Sequence, residues 1–453
     1  MIVESLAPEL LSLILQSIES PRSLHNLISA SPVCLRVFNQ TSRLILSAVI
    51  QNTLPIINKR HLLALYQAPS PATRTGVSSF LDKYFDESSS FDFPTGRAEL
   101  VELYKIYNRL SFLINEYLKR VDDLGLDDTI LTPSRYEVTR LQRAFLRYGL
   151  YSRVFPADDT RPWEDPSPNH NFSAGEQFDL FINHLYPWEC EEMVCVEQYF
   201  SILIGDFVDE IEDQLAEVVK SVLVPKTSKL SEESKDDSRD TSVKEDLRHF
   251  RNLDLTRLSM FSSDNRSEIH HNISYLASLG LDFVYDLIRA DQEERSRLIR
   301  SNSPNFRDFL QEALNHSPDA SEEREEDMAS WEDDPFSIWE DEPSCNNLGW
   351  TQFGLPNRHR EYLGIDTWGY LMSPLQELGY IFWDSSRFRS GLVDEKLRKA
   401  GAMSSEERKT RFSRRGKETF EELFKGYMIP GSELTRLESQ FGYIRRPIPD
   451  ESG

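Results

Sequence analysis

The cysteines and histidines are the residues that could bind a metal, and their spacing argues against such a site. The sequence contains four cysteines and nine histidines. Cys190 and Cys195 are five residues apart, a spacing that on a helix points the two side chains about 140° apart. His270 and His271 are adjacent and diverge in the same way. Because zinc needs ligands that converge on one point, we expect no metal site.

The usual motifs of enzymatic catalysis are also missing from the sequence. It contains no glycine-rich phosphate loop, no Gly-x-Ser-x-Gly, no His-Glu-x-x-His and no Cys-x-x-Cys. Carboxylates are abundant, but they lie in charged segments or at spacings typical of solvated helix faces. We therefore expect no catalytic residues, no cofactor and no enzymatic activity.

The charge distribution excludes some partners and sets the N-terminus apart. The 453 residues include 51 basic and 75 acidic side chains, a net charge of −24. A surface this negative repels nucleic acid and anionic lipid, so we expect neither as a partner. Residues 1–60 are different: five basic and three acidic side chains give them a net charge of +2.

Three features of the sequence point to an intracellular protein, either cytoplasmic or nuclear. The first residues lack the basic and apolar regions of a secretory signal. Four cysteines are too few for a disulfide framework. No apolar stretch approaches the roughly 20 residues that a membrane span needs, so we expect no membrane partner.

Apolar positions recur at helical spacing along most of the chain, and no stretch alternates as a strand would. The pattern predicts an all-α fold, with Pro225 ending one long helix. The predicted helices after the N-terminal region are 97–121, 134–151, Trp188–Val224, helical segments within 266–315, 386–400 and 404–427. The aromatic residues between 350 and 383 are expected in a core.

Two polar stretches divide the chain into predicted domains. Residues 226–245 have almost no large apolar side chains, and residues 317–345 hold twelve acidic side chains against one arginine. Both compositions are typical of disorder, and we expect early proteolysis there. The resulting domains are residues 1–50, a helical body at 55–315 containing the 226–245 linker, the acidic segment 317–345, and an aromatic-rich helical region at 346–453.

The N-terminal segment carries more apolar surface than it can bury by itself. It is predicted to form three short helices, the first over 8–18 and the others after Ser20-Pro21 and Ser31-Pro32. The apolar residues of the first helix cover an arc of roughly 200°, twice the roughly 100° of a one-sided surface helix. These residues are Leu10, Leu11, Leu13, Ile14, Leu15 and Ile18. Something outside the three helices must cover the excess.

This segment resembles an F-box. Leu6-Ala7-Pro8-Glu9, the spaced aliphatic residues that follow and Ala30-Ser31 are similar to the F-box pattern. Ala7 stands where the pattern has its first proline, and Pro32-Val33-Cys34 stands where a basic residue and a tryptophan usually follow; this ending is similar to that of many fungal F-box-like proteins. The resemblance implies a three-helix module that docks on the Skp-type linker subunit of a cullin–RING ubiquitin ligase. The partner-binding residues that it implies are Leu6, Pro8, Glu9, Leu10, Leu11, Ile14, Leu15, Ile18, Leu24 and Leu27.

Three functional hypotheses follow. In the first, the chain is a substrate receptor or adaptor that brings an unknown target protein to the ligase. In the second, it is a non-catalytic helical scaffold whose F-box-like segment is degenerate, with Leu10, Ile14 and Ile18 covered by its own residues. In the third, the acidic stretch with Trp331 and Trp339 acts as an activation or docking segment, although no DNA-binding domain accompanies it.

Overall fold

The computed structural model describes the greater part of the chain. The described residues are 6–18, 21–53, 56–126, 130–156, 172–222, 224–225, 273–302, 309–315, 349–354, 373–389, 391–403, 407 and 427–428. The protein is all-α. Within the described residues, β-structure is limited to two short strands, β1 (Val224–Pro225) and β2 (Tyr427–Met428), which pair antiparallel.

Nine α-helices are described in the first 222 residues. They are α1 (Pro8–Gln16), α2 (Pro21–Ala30), α3 (Pro32–Thr53), α4 (Ile56–Gln67), α5 (Arg74–Phe85), α6 (Arg97–Asp123), α7 (Arg135–Val154), α8 (Ala174–Leu180) and α9 (Pro187–Val222). After residues 273–278, which are also helical, come α10 (Gly280–Arg289), α11 (Gln292–Ser301), α12 (Leu310–Asn315), α13 (Pro374–Glu377), α14 (Ser385–Arg389) and α15 (Leu392–Gly401).

Most predicted helices are confirmed where the structure describes them, but the last residues of two of them, Val224 and Tyr427, lie in β1 and β2, and the 386–400 helix is divided into α14 and α15. The 97–121 and 134–151 patterns correspond to α6 and α7, and the long helix ends at Val222, three residues before Pro225. Sequence-encoded caps fix several of these starts. Ser134, for example, accepts a hydrogen bond from the Glu137 amide at 3.2 Å, and the Glu137 carboxylate accepts one from the Ser134 amide at 2.9 Å.

Helices α1, α2 and α3 form the N-terminal module, with α1 and α2 both packed on α3. The Ser31 hydroxyl caps α3 by accepting a hydrogen bond from the Cys34 amide at 3.3 Å. At Thr41 the backbone of α3 leaves the helical region, with φ −126° and ψ 24°, and the helix kinks. The far side of α3 packs on α6, which joins the module to the helical body.

One described helix, α3, satisfies the length and composition of a membrane span. It has 22 residues and a mean hydropathy of 1.2, so the expectation that no stretch approaches such a span is wrong on this criterion. Buried helices of soluble proteins meet the same criterion. The buried side chains of α3 are Cys34, Val37, Ser42, Ile45, Leu46, Val49 and Ile50, and α3 packs on α1, α2 and α6. Of its most apolar 18-residue window, 39% is buried in the protein.

The chain divides into two compact units, and the first contains the N-terminal module. It comprises Met1–Phe200, Ser278–Asp286 and Arg307–Arg408. Its core lies between α4, α6 and α7 and includes the fully buried Trp383, whose indole N–H donates to the Leu378 carbonyl at 2.8 Å. The expectation that the described aromatic residues of 350–383 are core residues is confirmed.

A single glycine conformation shapes this part of the core. Gly379 has φ +61°, and a Cβ atom at this position would overlap the Tyr117 hydroxyl. Only glycine satisfies both the positive φ and the close approach to Tyr117. The turn lets the chain between α13 and α14 bring Phe382 and Trp383 into the core.

The second unit comprises Ser201–Ala277, Leu287–Phe306 and Lys409–Gly453. In its described part, Arg295 organises the packing of α11. The Arg295 guanidinium lies over the Phe207 ring at 3.9 Å and donates to the Glu210 carboxylate at 3.0 Å. It also donates to the Leu287 carbonyl at 3.3 Å.

Several predictions fall outside the described residues. They concern the linker 226–245, the acidic segment 317–345 with its two tryptophans, His270 and His271, and most of the 404–427 helix. The last residue of that predicted helix, Tyr427, lies in β2. The domain boundaries drawn from composition remain predictions.

Candidate functional site

Exposed large apolar side chains concentrate in the N-terminal module. Among the described residues, five of the seven such side chains lie in α1 and α3, and the remaining two are at positions 131 and 136. The five are Leu10, Leu13, Ile14, Leu35 and Leu44. Apolar exposure at this density is typical of a surface that a partner covers. The N-terminal module is therefore the candidate site.

Helix α1 presents two apolar faces with different surroundings. Leu11 and Leu15 are buried in the module, whereas Leu10, Leu13 and Ile14 are 50%, 61% and 39% exposed. The exposed residues occupy positions i, i+3 and i+4, which form one contiguous stripe on a helix. At 100° per residue this stripe is centred about 130° from the buried pair. Packing against α3 therefore leaves the second stripe of α1 open to solvent.

Polar contacts fix the orientation of α1 on α3. The hydroxyl groups of Ser12 and Thr41 lie 3.3 Å apart, next to the kink of α3. At the end of α1, the Asn52 side-chain amide donates to the Gln16 carbonyl at 2.8 Å and satisfies a carbonyl that the helix leaves free. These contacts hold the exposed stripe in a defined position.

The structure separates the predicted partner-binding residues into three groups. Pro8, Glu9, Leu10 and Ile14 are exposed; Leu6, Ile18 and Leu27 are half-buried; Leu11, Leu15 and Leu24 are buried. The last three side chains are covered by the chain itself and stabilise the module. The partner-binding role of the whole set stays a prediction.

Three exposed apolar residues were missing from the predicted set. Leu13 completes the stripe formed by Leu10 and Ile14, and a helical wheel restricted to i, i+3 and i+4 spacing would have identified it. Leu35 and Leu44 lie on α3. They are nine residues apart, on opposite sides of a regular helix, so no periodic pattern in the sequence singles them out.

Among the described residues of the module, most exposed charges are positive. Arg22, Arg36 and Arg43 are exposed on α2 and α3, whereas Glu9 is the exposed acidic residue of α1. The whole chain has a net charge of −24. Residues 1–53 hold three basic and three acidic side chains, so the N-terminal module is close to neutral within an acidic protein.

In the helical body, the unusual feature is a set of buried charged side chains. Glu137, Arg140, Arg143 and Arg147 lie along one side of α7, and each is buried with a partner of opposite charge. Arg143 forms a two-pronged pair with Glu192, with Nε and Oε2 2.9 Å apart. Arg387 donates to both oxygens of Glu137, at 2.6 and 2.9 Å. The expectation that helix carboxylates lie on solvated faces is wrong for these residues.

Two further ion pairs lie on the same side of α7, and we call this row of buried ion pairs the seam. Arg147 Nη1 lies 2.6 Å from Glu189 Oε1, and Arg140 pairs with Asp384. Burial alone would raise the pKa of the Glu189 carboxyl, but Arg147 and Arg143 outweigh it and the pKa lies below its ordinary value. Asp384 directs its carboxylate to Arg140 and Ser134.

A buried histidine adjoins this seam of charges. His61 Nδ1 lies 2.8 Å from the Tyr84 hydroxyl. Burial, followed by the nearby Arg147, Arg143 and Arg60, holds the His61 pKa well below 6.5. Burial likewise raises the pKa of Tyr84. Both groups are therefore neutral near pH 7, and their hydrogen bond stabilises the contact between α4 and α5.

Metal-binding geometry is not found in the described part of the chain. No three of its His, Cys, Asp and Glu side chains are grouped so that they could hold a metal ion. Cys190 and Cys195 are both buried, and burial raises the pKa of the Cys195 thiol well above its ordinary value. A protonated, buried thiol is a poor nucleophile.

Comparison with known proteins adds no assignment to this geometry. No protein-family model matches the sequence, no curated protein matches it, and no solved structure matches the fold.

Proposed function

We propose that the chain is an F-box-type substrate receptor or adaptor that docks on the Skp-type linker subunit of a cullin–RING ubiquitin ligase. The observation that carries this proposal is the exposed stripe of Leu10, Leu13 and Ile14 on a three-helix module whose sequence resembles an F-box. The stripe is on the first helix, at the residues that follow the Leu6-Ala7-Pro8-Glu9 pattern.

The hydrophobic effect provides the driving force for docking. Fully burying one leucine or isoleucine side chain contributes about 1.5–3 kcal/mol. Leu10, Leu13 and Ile14 are all partly buried already, so each contributes less than this maximum. Leu35 and Leu44 are two further apolar side chains available to a partner on the same module.

The second hypothesis, a helical scaffold with a degenerate F-box-like segment, predicts a different environment for the same residues. It requires Leu10, Ile14 and Ile18 to be covered by the chain itself. Leu10 and Ile14 are exposed, and Ile18 is half-buried. This arrangement favours the docking proposal over an intramolecularly packed, degenerate segment.

The proposed mechanism is proximity. The module would attach the chain to the ligase, and the helical body would hold a target protein within reach of the subunits that perform ubiquitin transfer. The chain itself would need no catalytic group. The acidic stretch 317–345 remains a second candidate for contact with a partner.

The test is direct binding between the purified chain and a purified Skp-type linker, measured by isothermal titration calorimetry. Ile14→Asp should abolish binding, because a carboxylate without a partner in a desolvated interface costs several kcal/mol. Its matched control is Leu131→Asp, since Leu131 is 50% exposed but lies between α6 and α7, outside the module. Binding of the wild type and of Leu131→Asp with loss in Ile14→Asp is expected. No binding by the wild type, or equal binding by all three proteins, would contradict the proposal.

A further inference from the structure

A cleft in the first compact unit combines apolar walls with two arginines. It lies between α6, α7 and the start of α10, and its empty volume is about 480 Å³, part of it open to solvent. Its walls include the side chains of Leu65, Ile106, Leu279 and Leu281. Arg109 and Arg153 reach it from different helices.

The two guanidinium groups converge on one carboxylate of the chain itself. Arg109 Nη1 lies 2.6 Å from Asp282 Oδ1, and Arg153 Nη2 lies 3.5 Å from Asp282 Oδ2. All three side chains are one-third to one-half exposed, so the cluster is accessible from solvent. Two positive groups against one negative group leave a local charge of +1, in a protein whose net charge is −24.

Both arginines are held in place by contacts other than Asp282. Arg153 Nη1 donates to the Leu65 carbonyl at 2.7 Å, and the Arg109 guanidinium lies over the Tyr285 ring at 5.6 Å. A guanidinium carries five N–H donors, and the hydrogen bonds given above use one from Arg109 and two from Arg153. The N–H groups that these contacts do not use could donate to a second carboxylate.

We propose that this cleft binds a carboxylate attached to an apolar group, as found at the C-terminus of a polypeptide or in a free organic acid. The carboxylate would accept hydrogen bonds from Arg109 and Arg153 beside Asp282 or in its place. The apolar group would lie against the leucine and isoleucine side chains of the walls. If the occupant is a polypeptide C-terminus, the cleft is a target-recognition site, an extension that rests on the proposed receptor function.

The first experiment compares two probes on the ¹⁵N-labelled full chain by NMR titration. N-acetyl-leucine carries the carboxylate and the apolar group, whereas N-acetyl-leucine amide lacks the charge. We expect the acid to bind with millimolar affinity, as suits a ligand of this size, and to shift the amides of Gly149, Ser152 and Gly280. The amide should bind at least about tenfold more weakly, because it loses charge-assisted hydrogen bonds. Equal binding of the two probes, or no binding of the acid at millimolar concentration, would overturn the proposal.

Charge variants test which groups hold the carboxylate. Arg153→Gln and Arg109→Gln should each weaken binding of N-acetyl-leucine at least about tenfold. Asp282→Asn should strengthen it, because it removes a competing and repelling carboxylate. The matched control is Lys119→Gln, which removes one positive charge from an exposed position of α6 next to Glu116, ten residues from Arg109, and should change nothing. Weaker binding in Asp282→Asn, or an equal loss in Lys119→Gln, would overturn the assignment.

Two further experiments complete the test. One distinguishes a polypeptide C-terminus from a free acid as the source of the carboxylate, and the other distinguishes carboxylate binding from linker docking. A tripeptide, acetyl-Gly-Gly-Leu, should bind at least as tightly as N-acetyl-leucine if the cleft takes a polypeptide C-terminus; exclusion of the peptide would overturn that source and leave the free acid. Ile14→Asp should leave binding of both probes unchanged, since Ile14 lies in the N-terminal module. Failure of linker docking and failure of carboxylate binding are thus distinguishable outcomes.

Discussion

The N-terminal module and the seam along α7 depart from the usual distribution of side chains in opposite directions. In the module, Leu10, Leu13 and Ile14 face solvent. Along α7, Arg143 and Arg147 are buried with Glu192 and Glu189. The two regions differ in whether the chain itself provides a partner for these side chains. The body provides an opposite charge for each of these buried arginines, whereas the module provides no cover for its apolar stripe.

This contrast is the basis of the proposed partner surface. A buried charge is tolerated when a partner of opposite charge and hydrogen bonds compensate its desolvation, and the body achieves this internally. Exposed apolar side chains do not by themselves destabilise the folded chain, but they favour association with another surface. The seam is therefore best understood as structural, and the stripe as a surface for binding.

The largest effect is expected from breaking one buried pair. Arg143→Ala would leave the Glu192 carboxylate buried without its main partner, which should lower the free energy of unfolding by about 3–5 kcal/mol. Urea denaturation followed by circular dichroism measures this change. The double variant Arg143→Met/Glu192→Met should recover most of the loss, since it removes both charges. A double variant as unstable as Arg143→Ala would show that the pair does not act as a unit.

The next largest effect on stability is expected from the buried face of α1, in contrast to its exposed face. Leu15→Ala removes a fully buried side chain and should cost about 2–5 kcal/mol of unfolding free energy. Its neighbour Ile14 is 39% exposed, so Ile14→Ala should cost less, about 1 kcal/mol. The same denaturation assay compares them. Similar losses in the two variants would mean that Ile14 is packed and that the stripe is not free.

His61 makes the seam sensitive to pH. Its folded-state pKa is lowered, so the unfolded chain binds a proton more readily as the pH falls below 6.5. This contribution to stability is complete above 6.5 and is lost on acidification, at no more than about 1.4 kcal/mol per pH unit. The groups facing His61 are Tyr84, Arg60, Arg143 and Arg147. His61→Gln should flatten this part of the stability–pH profile; an unchanged slope would exclude His61 as its source.

The smallest effect on stability per residue is expected from the stripe itself. Replacing Leu10, Leu13 and Ile14 together by serine should change the unfolding free energy of the isolated chain by at most about 1 kcal/mol per site. The same triple variant should aggregate less at high concentration, because it removes exposed apolar surface. Light scattering measures this second effect. A large loss of stability would show that the three residues contribute to the core.

The sequence predicts the helices well because their signals are local. Helical periodicity, Pro225 and caps such as Ser134 with Glu137 act within a few residues, and the corresponding helices are present. The excess apolar arc of α1 was also evident from the sequence. What it could not reveal was which part of the arc the chain covers, since that depends on the packing of Leu11 and Leu15 against α3.

The buried charges could not be recognised from local pattern. Glu137 and Arg387 are 250 residues apart, and Arg143 and Glu192 are 49 residues apart. Each side chain alone looks like a residue of a solvated helix face, and only the fold brings the partners together. The Arg109–Asp282 cluster, with 173 residues between its members, was invisible for the same reason.

The most direct test of the central claim is quantitative affinity purification of the tagged chain from the cells that make it, followed by mass spectrometry. Wild type, Ile14→Asp and Leu131→Asp should be compared at equal expression. The proposal predicts that a Skp-type linker and a cullin are recovered with the wild type and with Leu131→Asp and are lost with Ile14→Asp. Absence of both proteins from the wild-type sample, or their equal recovery with Ile14→Asp, would contradict it.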